Sequence, residues 1–261
     1  FPYTTLFDLL LNILIVSYLW YSTCLYLRTY TNIIHVHLLR STPSLIICVI
    51  ALIPTYTLTW YGLKYIARFS ITIYLSLSFC CILFLLVFKD LRLTFLMPIG
   101  QSGVQGIKAS LGSCITALLG FEVISVIYPE ITNKKKAMKF ALGSNLITTI
   151  FYIILVLVTT AFFGEEMLKK SLYGIIKLSR SYRAPVIERL DILFIAIWLP
   201  AMGMATRGFL GITYYSINNL LNLKKKLINL IIFVIITILL STIPESYSQL
   251  GIYNNVMKIS G

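Results

Sequence analysis

Long apolar stretches alternate with short polar connections along the whole chain, and seven of the stretches read as membrane-spanning helices. The expected spans are 6–27, 43–61, 69–88, 110–128, 140–163, 190–210 and 227–243. The first is free of charge after Asp8. The second starts at Pro43 and holds Pro54, where a kink is expected because proline removes a helical N–H and crowds the preceding turn. Trp60 and Tyr61 suit the interface, and Lys64 and Arg68 mark a loop. Residues 28–40 form a further loop that carries both histidines, His35 and His37. Pro98, Gly100, Gly103 and Gly106 make the start of the 89–108 connection irregular. The longest polar connection is 164–184, in which 168–176 is expected to lie on the membrane surface as a short amphipathic helix. Arg207 interrupts the far half of the sixth span, so that 208–223 either continues the helix or runs along the surface. After the seventh span the tail to Gly261 is too short to cross again.

The fourth stretch differs from the rest. Its apolar run 111–119 meets Gly120, Phe121 and Glu122, resumes over 123–128 and stops at Pro129, ahead of Lys134, Lys135, Lys136 and Lys139. An ionisable side chain near mid-membrane is expensive and marks a candidate functional residue. A glycine beside it points to a helix interrupted within the bilayer, where freed backbone groups can bind a solute. The alternative is a tolerated glycine with Glu122 paired to a basic neighbour.

Composition agrees with this pattern. At 58% hydrophobic residues, the chain holds more apolar surface than a soluble domain can hide, so the fold class expected is an all-α integral membrane protein. The net charge of +13 raises the question of nucleic acid, but the basic residues lie in short connections between apolar runs, the pattern of topogenic charge, and nucleic acid is set aside. Two spans separate 133–139 from 223–226, which puts both lysine clusters on one side, assigned to the cytoplasm. Arg28, Arg40, Lys89 and Arg92 run against that orientation. The chain opens on Phe1 without a signal-peptide pattern and reads as a portion of a longer protein.

No catalytic set or cofactor site emerges, and the protein is not expected to be an enzyme. A glycine-rich phosphate loop, a His-Glu helical pair and a nucleophile with its base are all missing from the sequence. Gly100-Gln101-Ser102-Gly103 lacks the Lys-Ser/Thr that would complete a phosphate-binding turn. The two histidines have no nearby cysteine or carboxylate, and Cys24, Cys48, Cys80, Cys81 and Cys114 sit in apolar runs without ligand spacing, so no metal is expected. Glu165 and Glu166 stand near Lys169 and Lys170 at helical ion-pair spacing.

Taken in order, several positions resemble the B subunit of bacterial spore germination receptors, the endospore germination permease family of the amino acid–polyamine–organocation superfamily. They are Phe1-Pro2, Leu39, Thr42-Pro43, Tyr56, Gly62 and Ile66-Ala67-Arg68, then Gly120-Phe121-Glu122, Pro129, Glu188-Arg189-Leu190-Asp191 and Trp198. The likeness runs from Phe1 to about Lys226. It resides in the ordered set, since Gly-Phe-Glu alone occurs across the superfamily.

The resemblance implies ten transmembrane helices in two inverted repeats, of which the seven spans here would be the third to ninth, forming a partial inverted-repeat bundle. In the superfamily, solute sits between the broken first and sixth helices, with walls from the third and eighth. The ligand-binding residues expected here are therefore Leu119, Gly120, Phe121 and Glu122 of the broken span and Trp198 of the eighth helix. Arg207 has two readings: it snorkels to the headgroups, or, by resemblance to sodium-independent members, it is a cation mimic where coupled members bind sodium. Glu188 and Asp191 are expected in the first turn of the eighth helix, where the helix dipole favours them, with Arg189 paired to one of them. The implied function is sensing of a small nutrient germinant, an amino acid, in the spore inner membrane, alongside an A subunit and a C subunit. An amino acid transporter, or a truncated and nonfunctional remnant, are the alternatives.

Overall fold

The structure is a computed structural model and describes residues 6–84, 91–97, 103–118, 120, 122–170, 174–181, 190–221 and 226–242. These residues are helical or in turns, with no strand among them. The chain divides into two compact units, Phe1–Thr72 with Ala201–Ser260, and Ile73–Pro200. Four helical segments are long and apolar enough to cross a membrane: Leu10–Val36, Ser44–Tyr61, Lys134–Phe163 and Phe194–Leu221. Seven were expected. Of the others, one carries Lys64 and Arg68 in its first turns, one is split near Gly120, and one has a shorter apolar run, Leu227–Thr242.

In the first unit, α1 (Leu6–His37), α2 (Ser44–Tyr61) and α10 (Lys226–Thr242) pack against one another. Leu27, Cys48, Leu52, Leu230 and Phe233 from these helices, with Leu210 and Tyr214 of α9 (Leu190–Leu221), make its core. Polar groups between the helices are joined in pairs, as a bilayer demands. Trp20 Nε1 donates to Thr237 Oγ1 at 3.0 Å, and the Thr23 and Thr213 hydroxyls lie 3.5 Å apart. At Gly211 of α9 the Ile66 side chain lies close, so that an added Cβ would collide with Ile66 Cδ1 and approach Thr59 Oγ1.

Three boundaries in the first unit differ from those expected. The first helix runs through Arg28 to His37, where a loop was expected. Leu27, Tyr30, Ile33 and Ile34 are all buried, so helical burial continues past the charge. His35 Nδ1 then lies 3.0 Å from the carbonyl oxygen of Thr42 and closes the turn, which explains this histidine without a metal. Gly62, at φ +100°, alone joins α2 to α3 (Leu63–Phe84), so Lys64 and Arg68 are helical rather than in a loop. Through Arg207, α9 continues without interruption to Leu221. Pro54 lies within α2 without ending it.

The second unit is organised on α6 (Lys134–Phe163), whose first turns carry the exposed lysines 134, 135, 136 and 139 and which therefore begins before residue 140. Gly164, at φ +74°, caps it by donating its N–H to the Thr160 carbonyl at 2.8 Å. The Phe95 ring covers that glycine from a short 3₁₀ turn, Leu93–Leu96, and the Arg92 N–H donates to the Ala161 carbonyl at 3.0 Å. Of the stretch expected to lie on the membrane surface, the described helical residues belong to α7 (Glu165–Lys169) and α8 (Gly174–Ser181). Ile176 and Leu178 of α8 are buried and α8 packs on α6, so its apolar side is directed to protein. Lys169 and Glu165 form the ion pair at 2.7 Å. Hydrogen bonding and charge hold the exposed Glu165 carboxyl below its usual range and raise Lys169.

Gly211 is a test of packing in the first unit. Gly211→Val should lower thermal stability in detergent by about 1–3 kcal/mol, the usual cost of overpacking. Ile66→Ala in the same protein should recover part of that loss. Equal stability of Gly211→Val and wild type would show that the close approach is absent.

Candidate functional site

In the second unit, α4 (Gly103–Leu118) and α5 (Val123–Ile127) are separated by a break. Gly120 has φ +122°, a conformation that side-chain-bearing residues rarely adopt. Space is not the constraint, because an added Cβ would meet no atom within 4 Å. The Gly120 N–H donates to Glu122 Oε2 at 2.8 Å, so the carboxylate binds a backbone donor that the break has released. On the other side, Val123 N–H donates to the Gly120 carbonyl at 3.3 Å, and the Ser125 N–H and hydroxyl both donate to the Glu122 carbonyl, at 3.0 and 2.6 Å. Glu122 is half-buried. A charged acceptor makes a stronger hydrogen bond than a neutral one, so this carboxylate both stabilises the break and keeps a polar group in the apolar span. Leu119 and Phe121 lie outside the described residues.

Arg207 lies in the first unit, on α9, and is only 5% exposed. It does not snorkel to the headgroups. Long helical side chains lean over the preceding turn, and here the guanidinium lies on Gly203, one turn back. An added Cβ at Gly203 would stand 2.8 Å from Arg207 Nη1 and 3.2 Å from Cζ and Nη2. Arg207 Cζ is 5.1 Å from the centre of the Phe69 ring, a cation–π distance, and Tyr30 on α1 is likewise buried in this unit. Sequence reasoning singled out Arg207 but not Gly203, Phe69 or Tyr30. The Gly-x-x-x-Arg spacing at 203–207 was the available signal, whereas Phe69 and Tyr30 come from distant parts of the chain.

The family profile for spore germination protein (spore permease) matches residues 4–250. The chain belongs to that family. It is 28% identical over 237 residues to spore germination protein GerQB of Bacillus cereus, covering 88% of this chain and 64% of that protein. It is 23% identical over 220 residues to spore germination protein B2 of Bacillus subtilis (strain 168), covering 83% of this chain and 60% of that one. The chain thus spans under two thirds of the length of these curated relatives. No solved structure matches it.

In this spore germination family member, the remaining expected site residue, Trp198, is half-buried and stacks on Phe194 of its own helix, centroids 5.8 Å apart. Glu188 and Arg189 lie outside the described residues, as does the side chain of Asp191. Among the described residues there is no group of three or more potential metal ligands.

Two alanine substitutions on α9 should act in opposite directions. Gly203→Ala displaces the Arg207 guanidinium and should lower thermal stability, whereas Gly208→Ala meets nothing within 4 Å and should hold or raise it by up to about 1 kcal/mol through helix propensity. Thermal midpoints in one detergent decide this, and a Gly203→Ala protein as stable as Gly208→Ala would contradict the placement of Arg207.

Proposed function

We propose that the protein is the ligand-sensing membrane subunit of a nutrient germinant receptor, and that the break at Gly120 is part of its ligand site. Membership of the spore germination protein family supports the first half of this reading. The observation that carries the second is the Gly120 N–H held by the Glu122 carboxylate between two helical segments. A small solute with a carboxylate and an amine, an amino acid, suits such a place. Its carboxylate can compete with Glu122 for the backbone donor, and its amine can bind the Glu122 oxygens or a released carbonyl. Leu119, Phe121 and Trp198 complete the proposed pocket, all within the second unit. Separately, in the first unit, Arg207 is proposed as the cation mimic.

Sensing requires no chemical step. A solute that binds one conformation better than another shifts their populations by its differential affinity. The proposed setting is the spore inner membrane, with A and C subunits as partners. Amino acid transport is a second reading, favoured by the interrupted helix itself, since half-helices with released backbone groups also build transporter sites.

Labelled amino acid uptake into vesicles, paired with germination of spores carrying the same full-length variants, separates the two. Gly120→Leu should abolish the response to one nutrient class while protein level and uptake stay unchanged. Concentrative uptake by the wild-type protein, with normal germination of Gly120→Leu spores, would establish transport instead.

A further inference from the structure

In the first unit, a groove of about 480 Å³ runs between α1, the end of α9 and residues 229–236 of α10. Its volume lies in the range of small-molecule sites, ~300–1,000 Å³. The wall is almost entirely hydrocarbon, including Ile13, Trp20, Ile217 and Ile236. Two of its polar groups are already engaged: the Ser17 hydroxyl donates to the Ile13 carbonyl at 2.8 Å, and Trp20 Nε1 donates to Thr237. Water needs two or more polar partners to occupy such a space and finds none on most of this wall. Ile13 and Ile232, both about half exposed, flank the groove, so it opens on the apolar outer surface of these helices.

One end of the groove differs. Asn229 lies three residues into α10, about 4.5 Å along its axis at 1.5 Å per residue, and its half-buried amide hydrogen-bonds to no group among the described residues. The groove is thus apolar along its length with one polar group near the helix end, the polarity profile of a phospholipid chain joined to its glycerol ester.

We infer that this groove binds one acyl chain of a membrane phospholipid, with the ester oxygens at the Asn229 amide. The chain fills a space that water cannot occupy and joins α1 to α10 beside the Trp20–Thr237 bond.

Trp20 in the wall reports directly on occupancy. The full-length protein, with every other tryptophan replaced by phenylalanine, is reconstituted in phosphatidylcholine–phosphatidylglycerol vesicles whose acyl chains are progressively replaced by dibrominated ones. Trp20 emission should be quenched at a low fraction of brominated lipid. Ile217→Phe, which fills the groove, should raise the fraction needed for half-quenching several-fold, with helicity by circular dichroism unchanged. Should that variant not fold, Asn229→Leu, away from the narrowest packing, should shift the same midpoint in the same direction. Unquenched Trp20 in the wild-type protein would mean that another protein segment or a second copy covers the groove. Quenching curves identical in wild type and a folded variant would mean that bulk lipid alone reaches Trp20. Either result overturns the assignment.

Discussion

Within a bilayer every backbone N–H and C=O must find its partner inside the protein, and this constraint accounts for most of the local structure. Where helices run unbroken the requirement meets itself. Where they stop, a specific device appears: Gly62 donates to Leu58, Gly164 donates to Thr160, and Gly120 donates to the side chain of Glu122. The first two are backbone caps at helix ends. The third places a carboxylate inside an apolar span, which no cap made of backbone alone requires. The same constraint explains the buried hydroxyls of Thr23, Thr31 and Thr59, each donating to the carbonyl four residues back, so that a polar side chain can face the core.

Arg207 meets a related demand for charge. Removing a guanidinium from water is costly. Here the Phe69 ring lies at cation–π distance, and Gly203 lets the side chain fold along its own helix. Gly203 therefore has a steric reason to be a glycine, and Gly120 a conformational one. Gly208 has neither.

Much of this was legible in the sequence where a single element carries its own signal. Pro43 marks the start of α2, and the Glu165–Lys169 pair follows from spacing alone. Boundaries failed where tertiary contact outweighs local chemistry. Arg28 and the two histidines read as a loop, yet the buried face through Tyr30 and Ile34 carries α1 to His37. Lys64 and Arg68 also read as a loop, because one glycine at positive φ sufficed as the connection. The surroundings of Arg207 were out of reach, since Phe69 approaches it only through folding. The glycine–carboxylate pair at 120 and 122 was visible, but not which backbone donor the carboxylate would hold.

We propose that Glu122 acts chiefly as the acceptor that holds the Gly120 N–H, and that this cap belongs to the germinant response. The most direct measurement is the germinant concentration for half-maximal spore germination in full-length Glu122→Gln and Glu122→Ala, with protein levels matched by immunoblot. Glutamine retains an oxygen that can accept from Gly120, so its response should stay close to wild type, while alanine should shift it several-fold or abolish it. Equal loss in both variants, or none in either, would contradict the account.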